Sequence, residues 1–391
     1  MTNARYLIVG GGMTADAAVR GIRELDHDGA IRILSAEPDA PYARPPLTKA
    51  LWKGEPLDSI WKHTEEHGVD LVLGTRAAKL DVAQKQVTDE HGVGHRYDRL
   101  LLATGGMPRH LPGDNDGVIY FRTVQDYNRV RALADQHKRF VVIGGGFIGS
   151  EIAAALAMNG CDVTMLFPEP GIGARIFPAD LSRSINGYYG EKGVTLKSGE
   201  SVKRVARRGS QFAVETESGP VTADAVIAGL GILPATELAS AAGLEVDDGV
   251  VVNEQLRTSK PDIFAAGDVA RASVPALGRM RVEHEDNAVT MGHAAGRAMA
   301  GDETPYTHIP FFYSDLFDLG YEAVGQTDSR LETVADWKEE FKEGVVYYLN
   351  EGGVKGVLLW GVFGQVDAAR ALVTDSRPVR PEDLAGRIPL T

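Results

Sequence analysis

The chain has 391 residues, room for two or three domains of about 150 residues each. Its hydrophobic content of 43% supplies real cores and excludes a disordered chain. With 41 basic and 54 acidic residues the net charge is −13, which argues against nucleic acid or an anionic membrane as the main partner. The one cysteine, Cys161, excludes a disulfide framework and a zinc cluster, so no metal is expected. No stretch is long and uncharged enough for a spanning helix. The first strand begins near Tyr6, which leaves no room for a signal peptide, and a cytoplasmic location is expected.

Tyr6-Leu7-Ile8-Val9 reads as a buried strand, and Gly10-Gly11-Gly12-Met13-Thr14-Ala15 follows in G-x-G-x-x-A spacing. A helix runs on to about residue 25. The next strand, 31–34, ends near Glu37, which lies 25 residues past Gly12 and near the offset at which an acid meets a ribose hydroxyl. Pro41-Tyr42-Ala43-Arg44-Pro45-Pro46-Leu47-Thr48-Lys49 reads as an extended run leading into a helix that carries Lys49 and Trp52. Short strands are expected within 75–87 and over 97–106, the latter closing on Leu-Leu-Ala-Thr-Gly-Gly. Phe121-Arg122 precedes a polar helix with Arg129 and Arg131.

The densest signal is Phe140-Val-Val-Ile-Gly-Gly-Gly-Phe-Ile-Gly-Ser-Glu151. A β-branched apolar strand meets Gly144, Gly146 and Gly149 in G-x-G-x-x-G spacing, then an apolar helix. The first glycine serves a tight turn, the second lets backbone approach a pyrophosphate, and the third lets helix and strand close up. Phosphates would sit at the helix N-terminus, on unpaired N–H groups. Residues 162–167 form the next strand and end at Pro168-Glu169, with Arg175 six residues on. An acid there suits the ribose hydroxyl of NAD and repels a 2′-phosphate, while Arg175 keeps NADPH open. Residues 221–234 close this unit, and 258–268 read as a strand ending in Gly267-Asp268. From Pro310 aromatics and β-like runs (322–326, 344–349, 356–363) precede a helix near 366–373. The duplicated glycine unit is the sole internal repeat.

On these motifs the chain resembles, over its whole length, the two-dinucleotide-binding flavoprotein oxidoreductases. Within them it is most similar to apoptosis-inducing factor, its bacterial relatives and the oxygenase-type ferredoxin reductases. The matching stretches are 41–49, Leu166-Phe167-Pro168-Glu169, Val282-Glu283-His284, Ser314-Asp315-Leu316 and Gly320-Tyr321-Glu322. The resemblance implies an α/β fold: two Rossmann-like domains of the glutathione-reductase type and a C-terminal α+β interface domain. The expected divisions are 1–112 with 248–308 for FAD, 113–247 for NAD(H), and 309–391.

It further implies FAD held by Gly10, Gly12, Met13, Thr14, Glu37, Arg44, Lys49, the backbone near Ala78, Thr104, Gly105, Arg122 and Asp268. NADH, rather than NADPH, would be held by Gly145, Gly146, Phe147, Ile148, Glu169, Arg175, Gly231, Glu283, His284, Tyr313 and Glu322. Where the animal factor stacks a tryptophan over the nicotinamide, this chain has Tyr313. The segment before Glu322 is one residue shorter, and a long regulatory insertion and a targeting peptide are absent. A cell-death role is not implied.

Hydride transfer needs nicotinamide C4 held about 3–3.5 Å from flavin N5. Lys49 and Glu151 are expected to pair beside that N5 edge, since a carboxylate in an apolar run is costly unless paired. The bland alternative for Glu151 is a first-turn acid favourable to the helix dipole. Asp268 is expected on the ribitol chain, and His284 near the ring system. Tyr313 is expected either to stack there or simply to pack in a core. No cysteine lies within 42–49, where disulfide-reducing relatives carry theirs, so electrons would leave the flavin directly and Cys161 reads as structural. The acceptor is expected to be a ferredoxin or rubredoxin. Alternatives are a small molecule such as a quinone or dioxygen, or an NADH-responsive sensor with a long-lived charge-transfer complex. A homodimer is compatible with the chain. A basic patch from Arg129, Arg131, Lys138 and Arg139 would be needed to steer an acidic partner.

Overall fold

The computed structural model describes residues 2–113 and 115–390. The chain divides into two compact units, each assembled from separate stretches: 1–44, 58–107 and 233–311 in the first, 45–57, 108–232 and 312–391 in the second.

In the first unit the strand Thr2–Val9 lies between Ile31–Leu34 and Gly94–Leu102, parallel to both. Val69–Val72 extends the sheet on one side, and Ile263–Ala265 pairs with Gly94–Leu102 on the other. Gln86–Asp89 and Ala77–Asp81 add an antiparallel flap. Helices Met13–Arg23 and Glu285–Met299 pack closely because glycines stand where they meet. A Cβ on Gly296 would fall 2.0 Å from Ala18 O, and one on Gly292 2.5 Å from Thr14 O.

The second unit repeats the plan. Arg139–Ile143 lies between Asp162–Phe167 and Ala225–Ala228, again parallel to both, with Thr195–Ser198 and Ile119–Tyr120 outermost. The apolar runs read from the sequence are these central strands: Phe140, Val141, Val142 and Ile143 are all buried. Helix Phe147–Met158 follows the glycine turn. An antiparallel sheet of Arg204–Arg208, Gln211–Thr216 and Gly219–Ala223 is inserted before Ala225–Ala228. Beyond residue 311 five antiparallel strands form a sheet, with Phe311–Leu316 at one edge and helix Val366–Thr374 packed on it.

Two expectations fail locally. The helix expected to carry Lys49 and Trp52 is instead two 3-10 turns, Pro45–Thr48 and Ala50–Lys53, with Lys49 between them at φ −127°. Two prolines at its start remove amide donors, and Gly54 at φ +98° ends it. Over 258–268 only Ile263–Ala265 is strand, because Thr258 N donates to Ile263 O and folds the Pro261 segment into a turn.

The helix contact gives a paired test. Gly296→Ala should lower stability by about 1–3 kcal/mol through overpacking. Gly187→Ala, in the exposed middle of helix Ala179–Glu191 with open space around its Cβ, should raise it by about 0.5–1 kcal/mol. Urea unfolding of both variants beside the parent chain reads the two signs.

Candidate functional site

The two glycine turns are near copies in geometry. Gly10 and Gly144 both have φ +112°, a conformation that an L side chain resists. Gly10 N donates to Leu34 O at 2.9 Å, and Gly144 N to Leu166 O at 2.8 Å. A Cβ on Gly10 would lie 2.1 Å from Ala103 O; on Gly144, 2.3 Å from Gly229 O. These glycines let one strand end pass close to its neighbour.

Gly12 and Gly146 behave differently. Each is the N-cap of the following helix, with extended backbone and no capping side chain. A Cβ on Gly12 would meet nothing nearer than Arg44 Nη2 at 4.0 Å, and one on Gly146 nothing within 4 Å. Packing within the chain does not require either. The space they keep clear lies over the N–H groups of a helix start, where an anion is stabilised. Met13 and Phe147 open the two helices. Thr14 is buried against Gly267, whose Cβ would fall 2.3 Å from Thr14 Oγ1. Ile148 is exposed, and Phe147 meets Phe312 edge-on at 5.3 Å. Gly145 backs onto the Phe167 ring.

An acid follows the second strand of each sheet. Glu37 accepts from Tyr42 OH at 2.7 Å and pairs with Arg44, whose guanidinium also lies 5.0 Å over the Tyr42 ring. Glu169 pairs with Arg175 at 2.7 Å, and Arg175 is otherwise almost fully exposed. Elsewhere in the first unit Thr104 Oγ1 donates to Ala235 O at 2.7 Å, while Gly105 O accepts from Ala235 N at 3.0 Å. Ala78 is exposed at an irregular step in its strand. Asp268 sits in a 3-10 turn after Gly267. Glu283 pairs with Arg281 at 2.5 Å, and His284 caps helix Glu285–Met299. In the second unit Arg122 N donates to Asp126 Oδ2 at 3.0 Å, as part of the capping box at Thr123. Gly231 has φ +81°. Glu322 accepts from Gly364 N at 3.3 Å, and burial raises its carboxyl pKa.

Lys49 and Glu151 come together. Lys49 Nζ lies 2.7 Å from Glu151 Oε2, and only 4% of the Glu151 side chain is exposed. Thr48 Oγ1 donates to the same oxygen at 2.5 Å, and Ser314 Oγ donates to Oε1 at 2.6 Å. Lys49 Nζ also stands 5.3 Å over the Tyr313 ring, which is 37% exposed and therefore not a core residue. Burial first, and then the Glu151 charge, hold the phenols of Tyr189 and Tyr321 well above their ordinary range. Thr48 and Ser314 lie in stretches that match the family, but neither is given a role from sequence.

Three of the four cations read as a basic patch are engaged within the chain. Arg129 donates to Gly117 O, Arg131 pairs with Asp135 and lies over Trp52, and Arg139 pairs with Asp224. Cys161 Sγ donates to Ala134 O at 3.7 Å, and burial raises its thiol pKa. No helix among the described residues is long and apolar enough to cross a membrane, and no group of acids, histidines and cysteine there could hold a metal.

Residues 4–292 match the family described as pyridine nucleotide-disulphide oxidoreductase. Residues 295–338 and 335–375 match the C-terminal family of mitochondrion-associated apoptosis-inducing factor. The chain is 35% identical to apoptosis-inducing factor 1 of Dictyostelium discoideum, over 97% of this chain and 80% of that protein. It is 33% identical to the ferredoxin–NAD(+) reductase component of the anthranilate 1,2-dioxygenase system of Burkholderia cepacia, over 97% and 96%. Among solved structures, a chain of the covalent putidaredoxin reductase–putidaredoxin complex superposes with a TM-score of 0.91 at 31% identity, covering 98% of this chain and 96% of that one.

Burial pushes the His284 imidazole down from 6.5 to about 4, against the opposing pull of Asp268 and Asp286. Above pH 6.5 the ring is neutral whether the chain is folded or not. As the pH falls from there toward 4, the unfolded chain takes up a proton that the folded one refuses, so stability is lost across that window. His284→Gln should flatten this part of the profile, read from unfolding midpoints between about pH 7 and about pH 4.5.

Proposed function

The chain belongs to the pyridine nucleotide-disulphide oxidoreductase family, and on that premise we propose that it is an NADH-dependent FAD reductase that passes electrons to a ferredoxin-type protein. One observation carries the reading: at the N-caps of two helices, Gly12 and Gly146 leave the Cβ position open, with no described atom nearer than Arg44 Nη2 at 4.0 Å. Two dinucleotides of this family's kind fit there. Bound FAD supplies the chemistry, accepting a hydride equivalent from NADH and releasing electrons to the acceptor.

The residues then divide the work. Gly10, Gly12, Met13 and Thr14 receive the FAD pyrophosphate, and Glu37, fixed by Tyr42 and Arg44, takes its ribose. Ala78, Thr104, Gly105, Arg122 and Asp268 complete the FAD set. Gly145, Gly146, Phe147 and Ile148 receive the NADH pyrophosphate. Gly231, Glu283, His284, Tyr313 and Glu322 serve its nicotinamide end. Lys49, anchored on Glu151, offers its ammonium to the N5 edge of the flavin and favours the reduced, anionic ring. Glu169 selects NADH: it accepts the ribose 2′-hydroxyl and repels a 2′-phosphate, while Arg175 is already paired with it.

Two likenesses support a protein acceptor: the Burkholderia relative is named a ferredoxin–NAD(+) reductase component, and the superposed structure is a complex with putidaredoxin. Disulfide reduction is disfavoured, because the Tyr42–Lys49 stretch holds no thiol and Cys161 faces Ala134. The C-terminal match and the Dictyostelium relative favour a second reading, an NADH-responsive sensor. The cytoplasm suits either.

Anaerobic stopped-flow mixing with NADH should bleach the flavin within milliseconds to seconds, with NADPH slower. Glu169→Ala should cut the NADH-over-NADPH rate preference at least about tenfold, the scale of one lost charge discrimination. Rapid recovery on adding a [2Fe–2S] ferredoxin supports the reductase. A persistent long-wavelength band with sluggish reoxidation, accompanied by a change in gel-filtration volume, supports the sensor. A protein that stays colourless after reconstitution with FAD overturns both.

A further inference from the structure

Glu151 is gripped by three residues from two segments. Thr48 reaches it from the end of the first 3-10 turn, Lys49 from between the two turns, and Ser314 from the edge strand Phe311–Leu316. Side chains alternate along that strand: Phe312, Ser314 and Leu316 are buried, while Tyr313 and Asp315 are not. Asp315 pairs with Lys53 at 3.1 Å, and Tyr313 lies under the Lys49 ammonium. One short strand thus holds both ends of the ion pair, the carboxylate through Ser314 and the ammonium through Tyr313.

We propose that Ser314 is a positioning residue for the flavin chemistry: its hydroxyl holds the Glu151 carboxylate in the orientation that leaves the Lys49 ammonium extended toward the flavin. This rests on the reading that Lys49 faces the N5 edge. Oε2 accepts from Thr48 and Lys49, and Oε1 accepts from Ser314. Ser314 is 1% exposed, so water poorly replaces its hydroxyl. An ionised oxygen that loses a buried donor takes another where one is in reach. Lys49, already on Oε2, is a donor in reach with protons to spare on its ammonium, and the Tyr321 phenol, which meets the Ser314 hydroxyl, competes with it. Without the Ser314 hydroxyl the carboxylate turns both oxygens to Lys49 and draws the ammonium toward itself. Positive charge leaves the flavin edge, and the reduced, anionic ring loses stabilisation.

The test compares Ser314→Ala, Ser314→Thr and Lys49→Met as purified flavoproteins. Two quantities are measured: the midpoint potential of bound FAD by dye-coupled titration, and the anaerobic rate of flavin reduction at saturating NADH. Ser314→Ala should make the potential more negative and slow reduction about tenfold, the effect of about 1.4 kcal/mol on the barrier. Ser314→Thr keeps the hydroxyl and should restore both. Lys49→Met should move the potential in the same direction and further. A potential unchanged in Ser314→Ala but shifted in Lys49→Met overturns the positioning role and leaves the Lys49 reading intact. A potential unchanged in Lys49→Met overturns that reading and this inference with it. If Ser314→Ala yields no folded flavoprotein, Thr48→Val against Thr48→Ser probes the same carboxylate from its other oxygen. A negative shift in the valine variant alone is then expected, and no shift overturns the proposal. A loss confined to melting temperature, with the potential unmoved, marks a merely structural hydroxyl and also overturns it.

Discussion

In both units the central strand must turn away from its sheet while a neighbouring strand's carbonyl stands about where a side chain would be. Gly10 and Gly144 solve this identically, at φ +112°, with a Cβ position only 2.1 and 2.3 Å from Ala103 O and Gly229 O. That turn places a helix N-terminus at the carboxyl end of the sheet, at the point where strand order reverses and ligands bind in such folds. The second glycine of each turn then leaves the N–H groups uncovered.

A second constraint operates on charge. Glu151 sits on an apolar helix, and leaving one partner off a buried ion pair costs about 3–5 kcal/mol. The chain meets this carboxylate with an ammonium and two hydroxyls drawn from segments 103 and 163 residues distant in sequence. Folding the C-terminal strand therefore completes the surroundings of this buried charge. The phenols of Tyr189 and Tyr321 stay protonated, through burial first and then the Glu151 charge.

The paired cations bear on how an electron acceptor is met. Arg131 and Arg139 neutralise Asp135 and Asp224 rather than presenting a basic face. With a net charge of −13, long-range steering of an acidic partner is weak. Recognition of such a partner then depends on short-range fit more than on field.

Local pattern alone determined the two sheets and the two dinucleotide turns. A β-branched run followed by G-x-G-x-x-G or G-x-G-x-x-A has few backbone solutions, and the acids at Glu37 and Glu169 fall at strand ends set by those runs. The pairing of Lys49 with Glu151 could be reasoned from the cost of a carboxylate in an apolar helix. Which hydroxyls complete it could not, because Thr48 and Ser314 carry no periodicity or spacing that ties them to residue 151. The 3-10 turns around Lys49 were likewise illegible: two prolines suit the first turn of any helix and do not specify its kind. Those features arise when the edge strand Phe311–Leu316 and the loop at residues 45–57 converge on one buried charge. Desolvation of that charge couples segments far apart in sequence, which local propensity does not register.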